Sequence, residues 1–183
     1  MKTTIMVLTF AAAAVAMTAD VQAATIPALP RMAADSPVDE RLAQANALQQ
    51  EAEALFDDSR EWKRAARLME QSAELRSESD PGAYEQMAYA ARLRWAAGDR
   101  NGAKKAFERA GELALARGEI ADGARAYIDA AFAASAVGRA PEARKLITFA
   151  EGLAQSPQLS EEQRRELIAR IKGQSPAQVT ISR

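Results

Sequence analysis

The 183-residue chain contains no histidine and no cysteine, so the two most versatile catalytic side chains are missing. A Ser-His-Asp or Cys-His nucleophile cannot be assembled, nor can a zinc site built on imidazole or thiolate. Without cysteine there are no disulfides, and the fold must rest on its core even in an oxidising compartment. An all-carboxylate calcium site or a paired-carboxylate glycosidase stays open to such a composition. No GxGxxG, P-loop or DxDxDG pattern occurs. Neither a catalytic residue, a metal nor a cofactor is therefore expected.

An excess of charge of one sign is missing too. Lys and Arg total 24 against 25 Asp and Glu, a net charge of −1 with the signs interspersed. With no basic stripe to neutralise phosphates, nucleic acid is not an expected partner. No tract of like charge suits a membrane surface either. Long apolar runs are limited to Ile5–Met17, which is closed by Asp20 and is shorter than the roughly 20 residues a membrane span needs. Lys2 precedes this run and Val21-Gln22-Ala23 follows it. Residues 1–23 thus read as a Sec-type signal peptide cut after Ala23, which places the chain in the periplasm or outside the cell. No cysteine follows the cut, so neither lipid attachment nor a stable membrane anchor is expected.

The remainder, about 160 residues, suits one domain. Residues 24–35, with two prolines and no period, read as a flexible leader. Ser36-Pro37-Val38-Asp39 then starts a helix with a cap, a first-turn proline and an acid facing the dipole. Leu42, Ala45, Leu48, Ala52 and Leu55 or Phe56 continue it with a helical period, until Asp57-Asp58-Ser59 breaks it. Further helices are predicted over about 60–75, 82–97, 101–117, 120–137 and 141–154. Ser160 and Gln163 form a capping box opening a last helix that Lys172-Gly173 closes. Residues 174–183 read as a disordered tail, and the domain spans 36–173.

The strongest pattern is internal. Ala96 to Ala114 (AAGDRNGAKKAFERAGELA) returns forty residues later as Ala136 to Ala154 (AVGRAPEARKLITFAEGLA). Gly98, Ala103, Lys105 and Ala110 align with Gly138, Ala143, Lys145 and Ala150, and Phe107 aligns with Ile147. Self-similarity at such a period marks stacked helical repeats. A turn glycine, an alanine five residues on, a large apolar residue four later and a small one three later is the spacing of the second helix of a tetratricopeptide repeat. The chain resembles that family, in an exported bacterial form, over about Arg41 to Ala154. A degenerate first copy reads Arg60, Ala65, Met69 and Ser72. The copies recur at 38 and 40 residues, longer than the family's ~34.

The resemblance implies an all-α, right-handed solenoid of about three helical hairpins plus a C-terminal capping helix. Leu167, Ile168 and Ile171 suit that sealing role. It also implies a concave groove lined by the first helix of each pair. Groove positions would then be Glu85, Tyr89, Arg92 and Trp95 on one helix and Arg125, Asp129 and Phe132 on the next, with Gln50, Glu51 and Asp57 at the start. The function implied is a scaffold that binds an envelope or secreted protein or peptide. The family's peptide-carboxylate clamp of Lys and Asn has no counterpart at these positions. A self-associating structural module is the alternative, and a carboxylate-dependent hydrolase a remote one.

Overall fold

A computed structural model of the chain describes residues 37–173. The expected signal peptide, leader, Ser36 cap and tail over 174–183 lie outside the described residues. Seven helices follow one another: α1 (Pro37–Glu53), α2 (Trp62–Leu75), α3 (Pro81–Ala96), α4 (Arg100–Ala116), α5 (Ile120–Ala136), α6 (Ala140–Ala154) and α7 (Glu161–Ile171). Among the described residues there is no strand. No described helix is long and apolar enough to cross a membrane.

Local chemistry explains where these helices begin and end. Gly98, Gly118 and Gly138 sit at φ of 79°, 76° and 78°, a region that L-residues with a Cβ rarely adopt. Each ends its helix with the same closure. The amides of Asp99, Glu119 and Arg139 reach back to the carbonyls of Arg94, Ala114 and Ala134 at 2.8, 2.9 and 3.0 Å. Three-residue turns result, and they set α3 to α6 antiparallel in sequence. Asp80 and Asp99 cap α3 and α4 by accepting from the amides of Gly82 and Gly102 at 2.8 and 2.9 Å. Ser160 and Gln163 complete the capping box of α7. The first hairpin has no such glycine, and α1 and α2 are joined instead through the longer connection 54–61.

Every helix packs on the next in sequence order, from α1 on α2 through to α6 on α7, and α7 also touches α5. Polar bonds additionally join alternate helices. Gln86 of α3 donates to Gln49 of α1, Lys104 of α4 to Glu142 of α6, and Arg125 of α5 to Glu166 of α7. The odd-numbered helices thus lie side by side in one layer, and the even-numbered ones in the other. The core between them is built mainly of alanine: Ala83, Ala90 and Ala91 of α3, Ala103 and Ala110 of α4, and Ala124, Ala130 and Ala134 of α5 are all fully or almost fully buried. Small side chains let the helix axes approach closely, so van der Waals contact between backbones replaces large interlocking side chains.

Phe107 is the large knob in this packing, buried among Ala83, Met87 and Ala130. Its counterpart Ile147 is only half-buried, against Ala131, Ala134 and Ala143. The sequence pattern predicts equal burial for the two. They differ because α4 is flanked by further helices on both sides, whereas α6 is the last even-numbered one. In the first copy Met69 fills the knob position, and Ser72 donates to the Ala45 carbonyl at 2.5 Å.

Candidate functional site

The exposed side of the odd-numbered layer is where the repeat leaves side chains free of packing. On α3 the residues 84, 88, 91 and 95 point to the neighbouring core, while 85, 89 and 92 fall on the next stripe of the helix surface. Glu85 and Arg92 are exposed. Tyr89 is half-buried and stacks on Phe56 with ring centroids 4.8 Å apart. Among the described residues Arg92 forms neither a hydrogen bond nor an ion pair, yet its charge acts on Tyr84, Tyr89 and Asp129. Burial pushes the Tyr84 phenol up to about 12, Asp122 adding to the effect and Arg92 and Arg125 opposing it. Burial thus keeps the Tyr84 and Tyr89 phenols protonated.

Trp95 is on the other stripe. It rests half-buried against the core of α3, α4 and α5, and the Arg100 guanidinium covers its ring at 3.7 Å from the centroid. The same guanidinium donates to the Trp95 carbonyl. Arg92 and Trp95 are thus neighbours along α3 but do not share one environment.

On α5 the picture changes, because α7 lies over it. Arg125 Nε and Nη2 donate to the two Glu166 oxygens at 3.0 and 2.5 Å, a bidentate pair, and Nη1 donates to Asp122 at 2.7 Å. Asp129 Oδ1 accepts from Arg170 at 2.7 Å, and Arg170 lies 3.9 Å from Glu166. Asp122, Arg125, Glu166, Arg170 and Asp129 so form one string of alternating charge. The bond from Arg125 holds the Glu166 carboxyl below its ordinary range, and Glu166 in turn raises Arg125. Burial drives the Asp129 carboxyl upward and outweighs the opposing pull of Arg170 and Arg92. Phe132 packs half-buried into the cluster that holds Ile128 and Leu167. No family model, curated protein or solved structure matches this chain.

The structure therefore leaves Arg92 exposed on α3, its charge acting on Tyr84, Tyr89 and Asp129, and takes Arg125 and Asp129 into pairs with α7. On the first hairpin Glu51 pairs with Arg64 at 2.8 Å, while Gln50 and Asp57 are exposed. Sequence reasoning missed Tyr84, Glu166 and Arg170. The only signal for the last two was an i, i+4 acid–base pair on α7, which any solvated helix can carry.

Two of the crevices elsewhere bear on these helices. One of about 370 Å³ opens between α2, α3 and α4, but its Arg94 is already bound by Glu70 at 2.5 Å and by Asp99 at 2.6 Å. The other, about 450 Å³, runs between α6 and α7 beside Ile168 and Ile171. Among the described residues no three acidic side chains converge on a position for a metal ion. Chemically, the odd-numbered helices offer tyrosine hydroxyls, the Arg92 guanidinium, unpaired among the described residues, and paired charges.

Proposed function

We propose that the chain is an exported scaffold of tetratricopeptide type. Its helical hairpins form a right-handed solenoid that binds an envelope or secreted protein along the odd-numbered helices. Supporting this reading are the forty-residue internal repeat, the sequential packing of the helices and the N-terminal signal pattern. The observation that carries it is Arg92, exposed on α3 and without a hydrogen bond or ion pair among the described residues, its charge acting on Tyr84, Tyr89 and Asp129. Arginine beside tyrosine is a favoured anchor pair in protein interfaces. The test is capture of partners from envelope extract on the immobilised chain, followed by affinity measurement with the protein recovered. Arg92→Ala should weaken that complex by about 1–3 kcal/mol. An unchanged affinity would move the binding face elsewhere.

Self-association is the second reading. Phe149 on α6 and Val38 and Leu42 on α1 are large apolar side chains left 47%, 69% and 40% exposed at the two ends of the array. Solenoids need polar end caps for solubility, so ends of this kind favour contact between copies. A sizing profile that stays at monomer size at every concentration excludes it.

A further inference from the structure

Helix α7 occupies the stretch of the odd-numbered face that the repeat pattern assigns to a ligand. It meets α5 through Glu166, Leu167 and Arg170, one turn of helix. Glu166 takes the bidentate Arg125, Leu167 is fully buried, and Arg170 donates to Asp129 at 2.7 Å. An acid and a base flank one apolar anchor, each opposite its complement. The other packing of α7, on α6, is made by side chains that stay only half-buried, Ile168 and Ile171. Leu167 is its single buried residue, whereas α5 buries nine. The connection from α6 runs through residues 155–160 and includes Pro157, with no helix of its own. The clasp is also imperfect, since Arg170 Nε is buried without a partner among the described residues. Asp129 is held in a site whose burial disfavours its charge. Both features lower the cost of releasing α7.

We propose that α7 is an exchangeable occupant of the groove, and that α5 accepts a partner protein's helix bearing Glu, Leu and Arg at the spacing of Glu166, Leu167 and Arg170. This rests on the groove reading above and adds the ligand's chemistry and its control. A partner helix enters by displacing α7, so its affinity is reduced by the fraction of chains in which α7 is closed.

The probe is a labelled synthetic peptide of residues 156–173, titrated against the whole chain. Leu167→Asp in the chain places a carboxylate in the apolar seat and releases α7. The peptide should bind this variant at least ~10-fold more tightly than the unmodified chain, where α7 competes. A peptide with Arg170→Glu should lose at least ~10-fold. Adding Arg125→Glu to the Leu167→Asp chain should reverse the preference toward a peptide with Glu166→Arg. Equal binding to both chains, or indifference to charge reversal, overturns the proposal. So does loss of helices α1–α6 in Leu167→Asp, because α7 would then be an inseparable part of the fold. Native-state hydrogen exchange on the unmodified chain needs no variant. The α7 amides should open at lower free energy than those of α5, and opening of the two only together overturns the proposal. The two readings fail separately. An envelope extract that yields no partner removes the scaffold function and leaves the peptide result intact, while a permanently closed α7 removes exchange alone.

Discussion

Helices α3 and α5 hold equivalent places in successive hairpins, and each carries an arginine that the repeat pattern assigns to the groove. On α3, Arg92 is exposed and unpaired among the described residues. On α5, Arg125 is held by two carboxylates and Asp129 by Arg170. Part of the difference lies in the residues, since at the forty-residue period Arg92 aligns with Phe132 and Arg125 with Glu85. The rest lies in what stands next to them. A residue pattern on one helix states which side chains leave the core, and the neighbouring helix decides whether they meet solvent or a partner.

The largest expected effect concerns what the two helices share. Phe107 packs against α3 and α5 residues alike, so Phe107→Ala should lower global stability by about 3–5 kcal/mol and open both helices together. Chemical denaturation followed by circular dichroism measures it. A loss within about 0.5 kcal/mol would place Phe107 at the surface and dissolve the common core on which the comparison stands.

Next comes the feature that separates them. Leu167→Ala removes the anchor of α7 and should cost about 2–4 kcal/mol of local stability. In hydrogen exchange the loss should appear in α7 and the adjoining face of α5, with the amides of α3 unchanged. Equal loss in α3 would mean that α7 supports the whole array.

The arginines give a smaller contrast. Arg125→Ala leaves Glu166 without its bidentate partner, and after discounting for the partial exposure of the pair should cost about 1 kcal/mol. Arg92→Ala should stay within about 0.5 kcal/mol, as for other surface sites. Similar losses for both would show that Arg92 too is engaged within the fold.

The finest test is pH. Glu166 is held below its ordinary value by Arg125. Burial raises Asp99, but the Gly102 amide and Arg94 outweigh it and hold this cap low as well. The stability these groups supply is present above the unfolded carboxylate value and drains as pH falls through their lowered folded values, below about 4. Asp129 has the opposite sign. Its raised carboxyl binds a proton more readily in the folded chain, so its contribution is present in acid and is lost as pH rises through its folded value. Between pH 6 and pH 3 the urea midpoint should therefore fall less in Glu166→Gln than in the unmodified chain, and more in Asp129→Asn. A common slope for all three would remove both carboxylates from the clasp.

What could be read from the sequence was local. Gly98, Gly118 and Gly138 mark the turns because a left-handed residue is cheap only without a Cβ. Asp80 and Ser160 mark helix starts because their oxygens take amides two or three residues away. Alanine periodicity marks the buried stripes for the same short-range reason. Phe107 and Ile147 fill matching places in the repeat, but only the three-dimensional position of α6 at the end of its layer made their burial unequal.

The sequence by itself determined that the chain is helical, where its helices start and stop, and which alanine stripes turn inward. These are set by bonds and contacts within about one turn of the chain. It did not determine that Trp95 and Phe132 pack half-buried against the core instead of lining a groove. The tertiary structure alone decided that Glu166 meets Arg125 and Arg170 meets Asp129, pairs 41 positions apart. Their geometry depends on the path of the 155–160 connection and on the single buried anchor Leu167, which a helical period does not encode. The sequence names the charged residues; long-range packing closes α5 and leaves Arg92 open.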